Sequence, residues 1–157
     1  MGQATHEQTN LLLRLYELRR EPRLREARKF FLDQLDTSSP EAMQRQCPPG
    51  SENSASLRMT LSYWDMCAGI VNRGLIDEEF FFENTGEQMI VFEKMRALMP
   101  GFREMFKNPF FLAPLEEHVN RLIAWREKRA PGSTEALKQF VAQAAQAARS
   151  ATQAAGR

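Results

Sequence analysis

The stretch from Leu57 to Arg73 constrains the fold of this chain more than any other. Leu57, Leu61, Trp64, Ala68 and Val71 recur at alternating four- and three-residue steps and make one apolar stripe. Met59, Tyr63, Met66 and Ile70 make a second stripe beside it, and polar character is confined largely to Arg58, Ser62, Asp65 and Asn72. A helix that is apolar over most of its circumference has to be surrounded by other helices. The pattern therefore predicts an all-α fold, a single compact bundle of about five to seven helices with residues 57–73 at its centre.

The flanking sequence agrees with this, because helix start and stop signals recur from end to end while period-two alternation hardly occurs. Thr5 with Gln8 reads as a capping box opening a helix to about Arg20, with Leu11, Leu12, Leu15 and Leu18 inward. Pro22 suits a first helical position, where no N–H is needed, and starts a helix burying Leu24, Ala27, Phe31 and Leu35. Ser39-Pro40 repeats the signal for a short helix through Gln46, and a loop follows from Cys47 to about Ser56. Gly74 suits the residue just past a helix end, Asp77 can cap the next helix, and Ile76 with Phe81 form a hydrophobic staple. Thr85 and Gln88 read as another capping box, for a helix that Pro100-Gly101 ends near Met99. After an Asn108-Pro109 turn, a helix from about Pro114 to Arg129 buries Leu115, Val119, Leu122, Ile123 and Trp125. Beyond Pro131-Gly132 an Ala- and Gln-rich segment has high helix propensity, with Leu137, Phe140, Val141, Ala144 and Ala148 as its stripe. The expected organisation is a bundle over residues 1–132 and a C-terminal helix over 133–157 that packs on the body or on a partner and frays at its end.

A chain of 157 residues can bury a core without a metal or disulfide staple. The formal net charge of +1 argues against a dedicated nucleic-acid binder, whose affinity rests on clustered cations. Cys47 and Cys67 belong to no CxxC pair and read as a loop thiol and a small core side chain, which implies a reducing, cytoplasmic setting. The first residues lack a basic region followed by a long apolar run, so no secretory leader is expected, and no segment approaches the length of a membrane span.

Chemistry-bearing motifs are scarce. There is no Walker lysine loop, no dinucleotide fingerprint and no serine elbow. His6 and His118 are the two histidines, and neither sits in an HExxH or ExxH pattern, so no metal, cofactor or catalytic residue is expected. Asp65 is the most informative carboxylate, lying midway along the most apolar helix, where burial demands water or an arginine nearby. Asp65, Arg58 and Asn72 are thus candidate ligand-binding residues, and a salt-bridged Asp on a narrow exposed stripe is the alternative. The densest basic stretch is interleaved with Glu17, Glu21 and Glu26, so ion-paired helices are the default reading. Arg19, Arg20, Arg23 and Arg28 are the candidates there for an anion or nucleic-acid contact, and the acidic run Asp77 to Glu87 offers them internal partners. Phe102, Phe106, Phe110 and Phe111 read as core filling, or as an interface where they stay exposed.

Tyr63-Trp64-Asp65, Gly69-Ile70-Val71 and Arg73-Gly74-Leu75-Ile76-Asp77, with Arg25-Glu26-Ala27-Arg28-Lys29-Phe30 earlier, resemble a bacterial family of short all-helical proteins known only as a domain of unknown function. The resemblance covers about half of the chain and lies mostly in structural joints. It implies a bacterial helical domain and carries over no catalytic residue, and the N-terminal membrane helix of some members has no counterpart here. The leading functional expectation is a non-enzymatic protein-interaction or scaffold module, binding another protein or a second copy of itself. A small-molecule binder or enzyme with a polar pocket at Asp65 is the alternative, and a weak nucleic-acid contact through residues 19–29 is the third reading.

Overall fold

A computed structural model describes residues 3–156. The described residues form α1 (His6–Arg19), α2 (Pro22–Asp33), α3 (Pro40–Gln46), α4 (Glu52–Asn72), α5 (Glu78–Asn84) and α6 (Glu87–Met95). A 3-10 turn (Arg96–Leu98) leads into α7 (Met99–Met105), followed by α8 (Ala113–Arg129) and α9 (Ser133–Ala155), with no strand among the described residues. The fold is the all-α bundle expected, with the chain divided more finely.

Most helix starts follow local rules. Thr5 Oγ1 accepts from the Gln8 N–H at 3.2 Å and Ser39 Oγ from the Ala42 N–H at 3.1 Å. Glu21 caps α2 through the Arg23 and Leu24 N–H groups, and Pro22 is its first residue. Gln8 does not complete a capping box. Its side-chain oxygen accepts from the Asp77 N–H instead and ties α1 to the joint before α5. At that joint Gly74 has φ +72°, Asp77 accepts from the Phe80 N–H at 2.9 Å, and Ile76 and Phe81 are both buried.

Three boundaries depart from the sequence reading. Helix α4 starts at Glu52 rather than Leu57, because Ser51 Oγ caps the Ser54 N–H at 3.1 Å. Gly86, not Thr85, occupies the cap of α6; Gln88 bonds back to the Thr85 hydroxyl through its side chain at 3.0 Å. Pro100-Gly101 opens a helix rather than closing one, since Pro100 falls in the first turn of α7, where its missing N–H costs nothing.

Helix α4 is packed between α2 and α8. Leu61, Tyr63, Trp64, Cys67, Ala68 and Val71 are buried, together with Ser56 and Thr60, whose hydroxyl bonds to the Ser56 carbonyl at 3.0 Å. Met66, on the second stripe, is exposed. The core continues through Phe31, Phe81, Phe92, Leu115 and Leu122. Leu18 on α1 is exposed rather than inward, because Leu12 and Leu15 are the buried positions of that helix. On α9 the inward side is Thr134, Leu137, Val141 and Ala145, so Phe140 points outward and is 68% exposed. Cys47 and Cys67 are free and buried.

Candidate functional site

Asp65 lies at the joint between α4 and α8. Its Oδ1 accepts from the Leu115 N–H at 3.1 Å, the third residue of α8. Leu112, the residue before that helix, has a left-handed backbone (φ +55°) and a buried apolar side chain, so it cannot cap. Asp65 supplies the missing acceptor from another helix and sets its charge at the positive end of α8. Where a cation was expected, the carboxylate meets a helix terminus, and no ion pair to it forms among the described residues. Burial pushes its carboxyl above the usual range, and the Leu115 N–H partly offsets this.

Asn72 serves the same joint: its amide donates to the Pro114 carbonyl at 3.0 Å and its oxygen accepts from Arg121. Arg58 is exposed and, among the described residues, bonds only to the Ser54 carbonyl of its own helix. Asp65 and Asn72 are therefore brought to one seam and Arg58 is not. Asp65→Ala should cost about 1 kcal/mol, the usual size of a lost cap. Asp65→Asn, which keeps an acceptor oxygen, should cost less, and chemical denaturation of the two variants checks the order.

The basic stretch divides in two. Arg23 pairs with Glu26 and Glu52, Arg14 with Glu17, and Arg28 with Glu87. Of the acidic run 77–87, only Glu87 joins this stretch among the described residues; Glu78 pairs with Arg121 and Glu83 with Arg129 on α8. Arg19 and Arg20 form no ion pair among the described residues. Both guanidinium groups lie over the Tyr16 ring, at 5.1 and 5.5 Å, and Arg19 also lies 5.8 Å from the Trp64 ring.

Beside Arg19 runs a groove of about 230 Å³ between α1, α4 and α5. Leu12, Leu15, Trp64 and Phe81 line it within, and Tyr63 is fixed by donating its hydroxyl to the Leu15 carbonyl at 2.6 Å. Leu13 and Tyr16, 53% and 45% exposed, form one lip, and Asn84 and Thr85 the other. A larger cleft, about 320 Å³, lies between α2, α6 and α9 and contains Lys94, Lys138 and Arg149. The sequence reading missed Tyr16, Lys94 and Arg149. Lys94 had one weak signal, a cation beside Glu93 and close to Arg96 in the otherwise apolar run from Met89 to Leu98.

Phe102, Phe106 and Phe111 pack on one another with centroids 5.1–6.5 Å apart, and Phe110 beside them is 76% exposed. The aromatic segment is thus partly core and partly surface. Among the described residues no three His, Cys, Asp or Glu side chains are grouped to hold a metal, and no helix is long and apolar enough to cross a membrane.

No curated protein and no solved structure matches the chain. The model of the family described as "Domain of unknown function (DUF4760)" matches residues 4–122, from just before α1 into α8, and the chain belongs to that family.

Proposed function

We propose that this domain is a protein-interaction module whose α1–α4–α5 groove receives an acidic segment of a partner protein, anchored by one bulky apolar side chain. The observation that carries the reading is an apolar groove with exposed Leu13 and Tyr16 at its lip and Arg19 in its lining, with Arg20 stacked on the same Tyr16 ring, neither arginine being paired with a carboxylate of the described residues. Apolar anchors in a pocket supply most of the binding energy of such contacts, and rim charges select the partner. The guanidinium groups are stacked on aromatic rings, which orients them without consuming their outer N–H donors. Two free buried thiols fit the reducing cytoplasm in which we place the protein.

A peptide-display selection on the immobilised domain tests this. It should enrich sequences with Asp or Glu close to Trp, Phe or Leu. Arg19→Glu and Leu13→Ser should each weaken the enriched peptides about tenfold, or about 1.4 kcal/mol. Peptides without that signature, or binding that ignores both substitutions, would remove this reading.

A further inference from the structure

The cleft between α2, α6 and α9 is built differently from the α1 groove. Leu32, Ile90, Val141, Ala142 and Ala145 make its wall apolar, and the charges are gathered among Glu93, Lys94, Lys138 and Arg149. Glu93, the one carboxylate in the lining, is already engaged: Lys138 Nζ lies 2.7 Å from one oxygen and Arg96 2.6 Å from the other. Lys94 Nζ donates to the Phe31 and Leu32 carbonyls at 2.8 and 3.2 Å, where the last turn of α2 leaves carbonyls without intrahelical partners. Those bonds use two of its three protons and fix the ammonium at the cleft wall. Arg149 has no ion pair among the described residues. Asp33 and Asp36 are the acidic groups close enough to affect Lys94, and Asp36 is held by the Ser38 N–H at 2.9 Å.

We propose that this cleft binds a single-tailed aliphatic carboxylate, with its head between Lys94 and Arg149 and its tail along the α6–α9 wall. The remaining Lys94 proton and the flat fork of Arg149 suit the two oxygens of a carboxylate. The apolar wall removes the tail from water, at about 25 cal/mol for each Å² covered. A volume of about 320 Å³ is at the small end for ligand clefts, which suits one medium-length chain and is too little for a two-tailed lipid. Burial, and then the nearby Arg149, push Lys94 down to about 8, while Asp33 and Asp36 act the other way and Asp36 also acts on Arg149, so the two cations are only partly offset and an anion between them would relieve the rest. Lys138, Val141, Ala142, Ala145 and Arg149 all come from α9, which lies beyond residues 4–122 matched by the family. The site thus joins Leu32, Ile90, Glu93 and Lys94 from the matched range to a helix outside it.

The test is calorimetric titration of the full chain with dodecanoate below its micelle concentration, against 1-dodecanol as the uncharged chain of equal length. Dodecanoate should bind one to one and saturably, with dodecanol at least tenfold weaker. Arg149→Ala, a change at an exposed residue, should weaken dodecanoate about tenfold while the circular dichroism and melting temperature stay unchanged. Lys94→Met should do the same, provided its spectrum shows it folded; Val141→Asp gives a second, tail-directed variant that should also lose binding. Equal affinity for dodecanol, indifference to Arg149→Ala, or binding to phosphatidylglycerol vesicles but not to free dodecanoate would each overturn the proposal.

Discussion

Replacing Arg28 by alanine should lower the stability of the fold by about 3 kcal/mol, the range for breaking a largely buried ion pair. Arg28 Nε donates to Glu87 Oε1 at 2.6 Å, and Nη2 reaches Oε2 of the same carboxylate, a side-on fork between α2 and α6. Both side chains are 17% exposed, and the Glu87 carboxylate holds the Arg28 guanidinium even more firmly protonated than usual. The third arm, Nη1, donates to the Arg19 carbonyl at 3.1 Å, near the end of α1. Trp64 Nε1 shares Glu87 Oε1 at 3.2 Å, so one carboxylate connects α2, α4 and α6. Removing Arg28 strands Glu87 in a half-dry setting and orphans the Arg19 carbonyl together. Glu87→Gln should cost less, because the amide oxygen still receives the Trp64 N–H. Urea denaturation should show a lower midpoint with an unchanged slope. A loss below about 1 kcal/mol would place this pair with ordinary exposed ion pairs.

The second large effect is a loss of stability in mild acid that His118 imposes. Its ring is fully buried on α8, edge-on to Phe81 and Phe82 at 5.5 and 5.2 Å. Nε2 lies 3.4 Å from the Gln88 amide nitrogen, and Nδ1 has no partner among the described residues. Burial, aided by Arg121, pushes its pKa from 6.5 down to about 4. Between those values the unfolded chain binds a proton that the native ring refuses, so stability falls as pH falls. At about 1.4 kcal/mol per pH unit, the wild type should lose about 2 kcal/mol from pH 6.5 to 5. Glu21, Asp36, Glu93 and Glu127, all held below their usual values, add to the loss only at lower pH, and Asp65, raised by burial, opposes them. His118→Leu removes the titrating group and an unpartnered polar atom from the core. Its denaturation midpoint should be nearly flat from pH 7 to 5 and no lower than that of the wild type at pH 7. Parallel profiles for the two proteins would mean that the native imidazole accepts the proton after all.

What the sequence revealed depended on how far apart the cooperating residues lie. Caps written within four residues, at Thr5, Ser39 and Asp77, stand where local rules put them, and so does the glycine turn at Gly74. The central helix was legible from its two stripes alone. Features made by distant residues were not. Nothing near Asp65 in the chain indicates that a left-handed Leu112 would leave α8 uncapped beside it. The α9 cleft exists only because Val141 and Ala145 face Leu32 and Ile90, and a reading that turned Phe140 inward could not assemble it. Arg19 and Arg28 look alike in a basic run, yet one is spent on a buried carboxylate and the other keeps its donors free.

A helix whose first turn is capped by a residue fifty positions earlier is also constrained in time. Early in folding, α8 has no side-chain cap of its own, and a first helical turn is costly to form even with one. The contact that completes it requires α4 to be in place and a long loop to have closed, the type of distant pairing that slows folding. The N-terminal half, with its self-contained caps, can organise first, and α8 then grows onto a surface that already holds the acceptor it needs. The joint at Asp65 thus makes the completed first turn of α8 depend on α4 being in place, and an Asp65→Ala variant should slow the refolding of α8 if that dependence holds during folding.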